Sequence, residues 1–316
     1  MGDYTMSETT AKPLHETIPL SYSIEDAWDE FAVRLKSEGK AKNTILTYRA
    51  AVLGLTKFLQ GRGMPLGVEA ISGEHIVEYL AHLQDVHRPS TCRTRYNSLQ
   101  RLFAWLVDER EIDDNPMRRL HPPKIPFEVR EGFSREELDA LFVTVEGRDF
   151  LAVRDRAIFA ALLSTGLRVA ELCSMLAEDV VGGDHIIIRG KGDKERVVRL
   201  GHTAAVAVRR YLRRRKSSPV RELFVSVKGE PLTPHAAKQV FLRRGKEAGI
   251  KRCHPHKMRR TFALGFLDSG GTADDLRVLM GHSSQHVLRT YVAAREQERA
   301  LRAHEQHDPA DRLLGK

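Results

Sequence analysis

The stretch that most constrains this chain is Asp113-Asp114-Asn115-Pro116 followed by His121-Pro122-Pro123-Lys124-Ile125-Pro126. Each proline removes a backbone donor and drives the residue before it out of the α region, so no helix can run through the segment. It is read as an extended linker over residues 113–132. The chain is 316 residues long, more than a single core holds before it splits at about 250–300 residues. Two domains joined at this linker are therefore expected.

The two sides of the linker differ in pattern. From Ser23 to Glu111 the apolar positions recur at helical spacing, as in Ile45, Tyr48, Val52, Leu55 and Leu59, and again in Tyr96, Leu99, Phe103 and Leu106. Breaks at Gly61-Arg62-Gly63 and His87-Arg88-Pro89 divide the run, with Ser90 placed to cap the last segment. The pattern predicts an all-helical domain of four short helices over residues 22–112. Beyond the linker, Ser134-Arg135-Glu136-Glu137 has the form of a capping box, and Ala157–Leu163 is a long apolar segment. Strand signals are confined to His185–Arg189, to Arg196–Leu200 across a Gly-Lys-Gly-Asp-Lys turn, and to Leu223–Val227. The rest returns to helix, which gives a mainly α domain with a small β-sheet over residues 133–300. Residues 1–21 and 301–316 read as flexible tails, the latter carrying Leu301, Leu313 and Leu314 among charges as an arm suited to docking on a neighbouring copy or simply frayed.

Charge narrows the class of partner. Residues 201–260 hold 17 Lys and Arg against 3 Asp and Glu, a local +14 in a chain whose net charge is +9, so the remainder sums to −5. A run such as Arg213-Arg214-Arg215-Lys216 is by itself an ordinary solvated face. Charge concentrated this strongly within a folded region instead suits a polyanion, because phosphate contacts supply most non-specific nucleic-acid affinity. The cysteines, Cys92, Cys173 and Cys253, are odd in number and far apart, which disfavours both a disulfide framework and a thiolate zinc site. The first twenty residues have no apolar core of a secretory signal, and no run of about 18 apolar residues exists to span a bilayer. A cytoplasmic protein is the expectation.

Nucleotide and hydrolytic signatures are missing: the sequence contains no GxxxxGK[ST], no HExxH and no GxSxG. Five weaker motifs remain, each with a plain alternative. In Thr165-Gly166-Leu167-Arg168-Val169-Ala170-Glu171-Leu172, a glycine break places Arg168 at a helix start, facing a phosphate or merely paired with Glu171. Lys191 in Gly190-Lys191-Gly192 sits at a hairpin tip, solvated or reaching into a groove to donate a proton. In His256-Lys257-Met258-Arg259, after Pro255, His256 and Arg259 lie three apart on one helical face, a site or an ordinary polar surface. His282 in Gly281-His282-Ser283-Ser284 is at least a capping histidine in a turn, and Tyr291 at least a half-buried aromatic.

Taken together and in this order, these motifs resemble the tyrosine recombinases of the phage integrase and Xer family. That family is recognised by Gly-Leu-Arg-x-x-Glu-Leu, a lysine in a Gly-Lys-Gly hairpin, His-x-x-Arg, Gly-His-[Ser/Thr] and a tyrosine about nine residues later. Arg168, Lys191, His256, Arg259, His282 and Tyr291 fall on those positions, and Asn43-Thr44 to Tyr48 match the usual start of the N-terminal domain, so the likeness spans roughly residues 22–305. Arg260 departs from members that carry a second histidine there. The resemblance implies a SAM-like, four-helix core-binding domain and a mixed α/β catalytic domain closing as a C-shaped clamp on duplex DNA.

It also implies a mechanism. Tyr291 would attack a scissile phosphate to form a 3′-phosphotyrosyl ester while a 5′-hydroxyl leaves. Arg168 and Arg259 would hold the non-bridging oxygens with planar forks that lysine cannot reproduce. His256 and His282 would supply hydrogen bonds and proton transfer, Lys191 would protonate the departing oxygen, and Glu171 would orient the group. The phenol, with an ordinary pKa of about 10, needs deprotonation by its surroundings. No cofactor and no metal are required. The partners implied are core recombination sites on double-stranded DNA and a homotetramer assembled from monomers at synapsis, with room for a directionality or DNA-bending factor. Lys42, Thr44, Arg49, Arg93, Arg95, Arg243 and Arg244 are the candidate DNA contacts. Integration or excision of phage or mobile-element DNA is the expected role; Xer-type chromosome dimer resolution, type IB topoisomerase activity and a non-catalytic regulator are the alternatives.

Overall fold

Two helices of the N-terminal unit, the first and the third, start where a serine side chain accepts from a free backbone donor. Ser23 caps α1 (Ile24–Ser37), its side chain accepting from the Asp26 N–H while the Asp26 carboxylate accepts from Ser23 N–H at 3.1 Å. The apolar stripe Ile24, Ala27, Trp28, Phe31 and Leu35 turns inward as its spacing requires. It meets α2 (Lys42–Gly61), α3 (Gly73–Val86) and α4 (Pro89–Asp108) around one core, in which the Phe31 ring lies 5.7 Å from Tyr48 and 5.2 Å from Trp105. Each fully buried side chain of this size is worth about 1.5–3 kcal/mol.

The computed structural model describes residues 22–126, 131–181, 185–189, 195–215, 220–281, 300–301 and 303–315. The chain divides into two compact units between residues 127 and 128. Ser90 does not cap α4: Arg88 is the N-cap, with no side-chain bond, and Pro89 takes the first helical position. Proline's missing N–H costs nothing at that position, and its fixed φ suits the helix, so the helix begins one residue before the serine. The proline-rich stretch is not extended throughout: it turns over residues 113–119, with the Arg118 N–H donating to the Asn115 carbonyl at 2.9 Å, and this first half packs on the N-terminal core. Ile112 and Met117 are buried there, and the Tyr96 hydroxyl donates to the Leu120 carbonyl at 2.6 Å.

The second unit is built around α6 (Phe150–Thr165), capped by Asp149. Ala157 to Leu162 are buried without interruption, as an apolar run on every side demands of a central helix. Around it lie α5 (Arg135–Val143), opened by the Ser134 capping box, and the short α7 (Val169–Cys173) and α8 (Ala177–Val181). They are followed by α9 (His202–Arg214), α10 (Pro234–Glu247), α11 (Pro255–Asp268) and α12 (Ala273–Met280). A last helix, α13 (Pro309–Leu314), stands in the segment read as a tail, with Leu313 and Leu314 exposed.

The sheet among the described residues is one antiparallel hairpin, β1 (His185–Arg189) on β2 (Glu195–Arg199), pairing Ile187 with Val197 and Ile188 with Arg196. Alternation buries Ile186, Ile188 and Val198 and leaves Ile187 and Val197 exposed. Leu223–Val227 is not a strand. Its backbone groups go to separate partners instead of one neighbouring strand: the Leu223 N–H donates to the Met175 carbonyl, the Val225 N–H to the Tyr211 hydroxyl and the Ser226 N–H to the Glu230 carbonyl, which leaves only an isolated bridge of Val225 with Pro231.

Candidate active site

Glycine fixes the first arm of the site. α6 ends at Gly166 with φ 62°, and a Cβ there would stand 2.2 Å from the Phe262 ring, so conformation and packing both require glycine. The turn buries Leu167 and delivers Arg168 as the N-cap of α7, where the sequence placed it at a helix start. Its backbone N–H is not open to a ligand: it donates to Glu171 Oε2 at 2.8 Å, and the guanidinium Nη1 donates to Oε1 at 2.8 Å. Arg168 is thus both paired with Glu171 and presented outward, with 42% of its side chain exposed.

The second arm is α11. Pro255 takes its first position, and His254 caps it through Nδ1, accepting from the Lys257 N–H at 3.0 Å. Burial, then the neighbouring positive charge of Arg260, Lys257 and Arg252, holds the His254 imidazole below its ordinary value and favours the neutral form for this role. His256 is exposed in the first turn, while Arg259, one turn on, is buried and donates to the Gly166 carbonyl at 2.5 Å and the Met280 carbonyl at 2.8 Å.

The third arm is the end of α12, which closes at Gly281 with φ 60°. Helix C-termini leave carbonyls without intrahelical partners, and here three successive ones are each taken by a different arginine. Leu279 O accepts from Arg196 Nε at 2.8 Å, Met280 O from Arg259, and Gly281 O from Arg168 Nη2 at 3.4 Å. The same three guanidiniums surround Glu171, since Arg196 grips its carboxylate with two bonds of 3.1 and 2.7 Å and Arg259 lies at 3.9 Å. Burial pushes the Glu171 carboxyl up, but the bonds from Arg196 and from the Arg168 N–H and guanidinium outweigh it and hold the carboxyl below its ordinary value. Three cations and one carboxylate leave a formal excess of positive charge, open to solvent mainly through Arg168. Such a group can hold an anion on the exposed guanidinium while the buried ones fix its position.

Lys191, His282 and Tyr291 lie outside the described residues. Of the candidate DNA contacts, Lys42 and Arg49 are exposed on α2 and Thr44 is half-buried between them. On α4, Arg93 donates to the Pro123 carbonyl at 3.2 Å and Arg95 to the Ala50 carbonyl. Arg243 and Arg244 both pair with Asp155, a fully buried carboxylate on α6 that also holds Arg154. Arg244 is the more enclosed of the two, and it further bonds Glu247 and the Thr144 carbonyl. Reading charge alone did not single out Arg196. The available signal was its alternation with Val198 and Leu200, which puts a cation on the buried side of a strand. Among the described residues no helix is long and apolar enough to cross a membrane.

A mainly helical two-unit chain with an arginine-rich site at the end of a helix defines a class, and comparison with known proteins gives it a family. Residues 132–298 match the phage integrase family and residues 28–113 its N-terminal SAM-like domain. The tyrosine recombinase XerD of Ralstonia nicotianae is 31% identical over 311 residues, covering 95% of this chain and 99% of the relative. Two solved structures share the fold. XerH site-specific recombinase bound to a palindromic difH substrate has a TM-score of 0.73 at 18% identity, over 92% of this chain and 98% of that one. A lambda integrase tetramer bound to a Holliday junction has a TM-score of 0.70 at 20% identity, over 90% and 82%. The chain belongs to the phage integrase family of tyrosine recombinases, enzymes that break and rejoin DNA at specific sites.

Proposed function

We propose that this chain exchanges DNA strands through a 3′-phosphotyrosyl ester on Tyr291, with Arg168 and Arg259 binding the scissile phosphate. The observation that carries this reading is the convergence of Arg168 and Arg259, 91 positions apart in the sequence, on one carboxylate and on the adjoining carbonyls Met280 and Gly281. A phosphodiester gains negative charge as it is attacked, so cations fixed in advance stabilise the transition state without reorganisation. The backbone carrying both contacts runs directly into His282, which with His256 supplies further hydrogen bonds and proton transfer. Lys191 protonates the leaving 5′-hydroxyl, and Glu171 orients the arginines. The ester conserves the energy of the broken bond, so rejoining by a 5′-hydroxyl of another strand needs no outside source.

Exchange between two duplexes requires four protomers, so the active form is a homotetramer built from monomers on core sites. Exposed Lys42 and Arg49 and the basic residues of α9 and α10 provide phosphate contacts. The chain acts in the cytoplasm, integrating or excising a phage or mobile element, with a directionality or bending factor as an accessory. The match to a XerD along 99% of its length favours a second reading, resolution of chromosome dimers. Covalent protein–DNA complexes trapped in the native host and sequenced at their ends separate the two: ends at an element junction support integration, and ends at a replication-terminus site support the Xer role. Ends scattered over the genome contradict both.

A further inference from the structure

Arg196 has no part in the mechanism above, yet it bonds both Glu171 and the end of α12. It lies on β2 opposite Ile188, and its side chain is only 9% exposed. A buried guanidinium is costly unless each face of its fork is satisfied. Here Nη1 and Nη2 close a two-pronged pair on Glu171 at 3.1 and 2.7 Å, and Nε donates to the Leu279 carbonyl at 2.8 Å. Gly281 leaves room for this arrangement, since a Cβ there would come within 2.9 Å of Arg196 Nη1. One side chain thereby ties β2, which follows Lys191 in the sequence, to the helix start bearing Arg168 and to the helix end that precedes His282 in the sequence.

We infer that Arg196 is a positioning residue for strand cleavage: by clamping Glu171 and the end of α12 it sets the direction in which Arg168 faces the scissile phosphate. The inference rests on the proposed phosphotyrosyl reading. Glu171 can orient Arg168 only if it is itself immobile, and Arg168 supplies contacts from one side alone. With Arg196 absent, the carboxylate keeps Arg168 and, more distantly, Arg259. These three arginines are the charged groups that the described residues set around it. Less opposed by hydrogen bonds, burial would then raise the Glu171 carboxyl.

The test uses the full chain with a suicide duplex that traps the covalent adduct, comparing wild type, Tyr291→Phe, Arg196→Gln and Arg196→Lys by single-turnover cleavage across pH. The wild type must form an adduct that Tyr291→Phe lacks; failure of that control removes the phosphotyrosyl reading itself. Given the control, Arg196→Gln should bind DNA with wild-type affinity and cleave roughly 10- to 100-fold more slowly, the loss expected when a partner orienting a directly acting group is removed. Its rate should also begin to fall at a higher pH on the acid side, a displacement that a general loss of stability does not produce. Arg196→Lys keeps a charge but not the fork, so it should fall between the two. Cleavage by Arg196→Gln at the wild-type rate, or an equal loss at every pH, overturns the inference. If Arg196→Gln melts below the assay temperature, Arg196→Lys must show the same displaced limb, and unfolding of both assigns Arg196 to stability alone.

Discussion

Replacing Glu171 with glutamine removes the one negative charge shared by Arg168, Arg196 and Arg259 while keeping the side chain's shape. Two of those arginines are nearly inaccessible, with 9% and 3% of their side chains exposed, and neither can turn to water for compensation. Taking one partner from a buried ion pair costs about 3–5 kcal/mol. The amide also turns an N–H₂ group toward donors that need an acceptor, either Arg196 or the Arg168 backbone N–H. In a unit of this size 1 kcal/mol moves the midpoint by about 2–4 °C, so the variant should melt about 6–20 °C lower at neutral pH. The sign with pH is fixed by the depressed carboxyl. Its stabilisation is complete above the ordinary value of 4.5 and is lost as pH falls through the lower folded value. The gap between parent and variant should therefore narrow in acid. Differential scanning calorimetry at pH 7 and below 4.5 makes the comparison. A Glu171→Gln midpoint within 2 °C of the parent at pH 7, or a gap that widens in acid, refutes the claim that this carboxylate holds the three cations together.

Other perturbations test separate parts of the account. Gly166→Ala should lose about 2–5 kcal/mol from its left-handed backbone and from overlap with Phe262, and Phe262→Leu in the same chain should recover part of that loss in thermal melts. Asp155→Asn strips the counter-charge from Arg154, Arg243 and Arg244 and should cost about 3–5 kcal/mol in urea titration; an unchanged midpoint contradicts a structural role for that cluster. Arg259→Lys replaces a planar fork that reaches the Gly166 and Met280 carbonyls from two separate nitrogens with a single ammonium on a shorter reach, and should slow cleavage by roughly 10²–10³-fold in a single-turnover assay.

The features legible in the sequence were those set by local chemistry. The proline-rich break, the Ser134 capping box, the apolar run within α6 and the glycine stops before Arg168 and after Met280 all act over a few residues. Errors came where two local rules competed, as at Pro89 and Ser90, or where a β-like composition meets no continuous partner strand, as at Leu223–Val227. The site itself was legible as an ordered set of motifs, and the structure brings Arg168, Glu171 and Arg259 together. Arg196 was not singled out because its meaning depends on a carboxylate 25 positions away and on a helix end still further along. Similarly, Arg243 and Arg244 look like a basic patch until Asp155 supplies their buried partner.

The central claim is that Tyr291 becomes the covalent attachment point for a DNA 3′-phosphate. The most direct measurement incubates the purified chain with a nicked duplex of its own recombination site, digests the denatured adduct with protease and locates the nucleotide by mass spectrometry. The account predicts a 3′-phosphonucleotide on the peptide containing Tyr291, absent in Tyr291→Phe while that variant still binds the duplex. Attachment to any other residue, or strand exchange that persists in Tyr291→Phe, contradicts it.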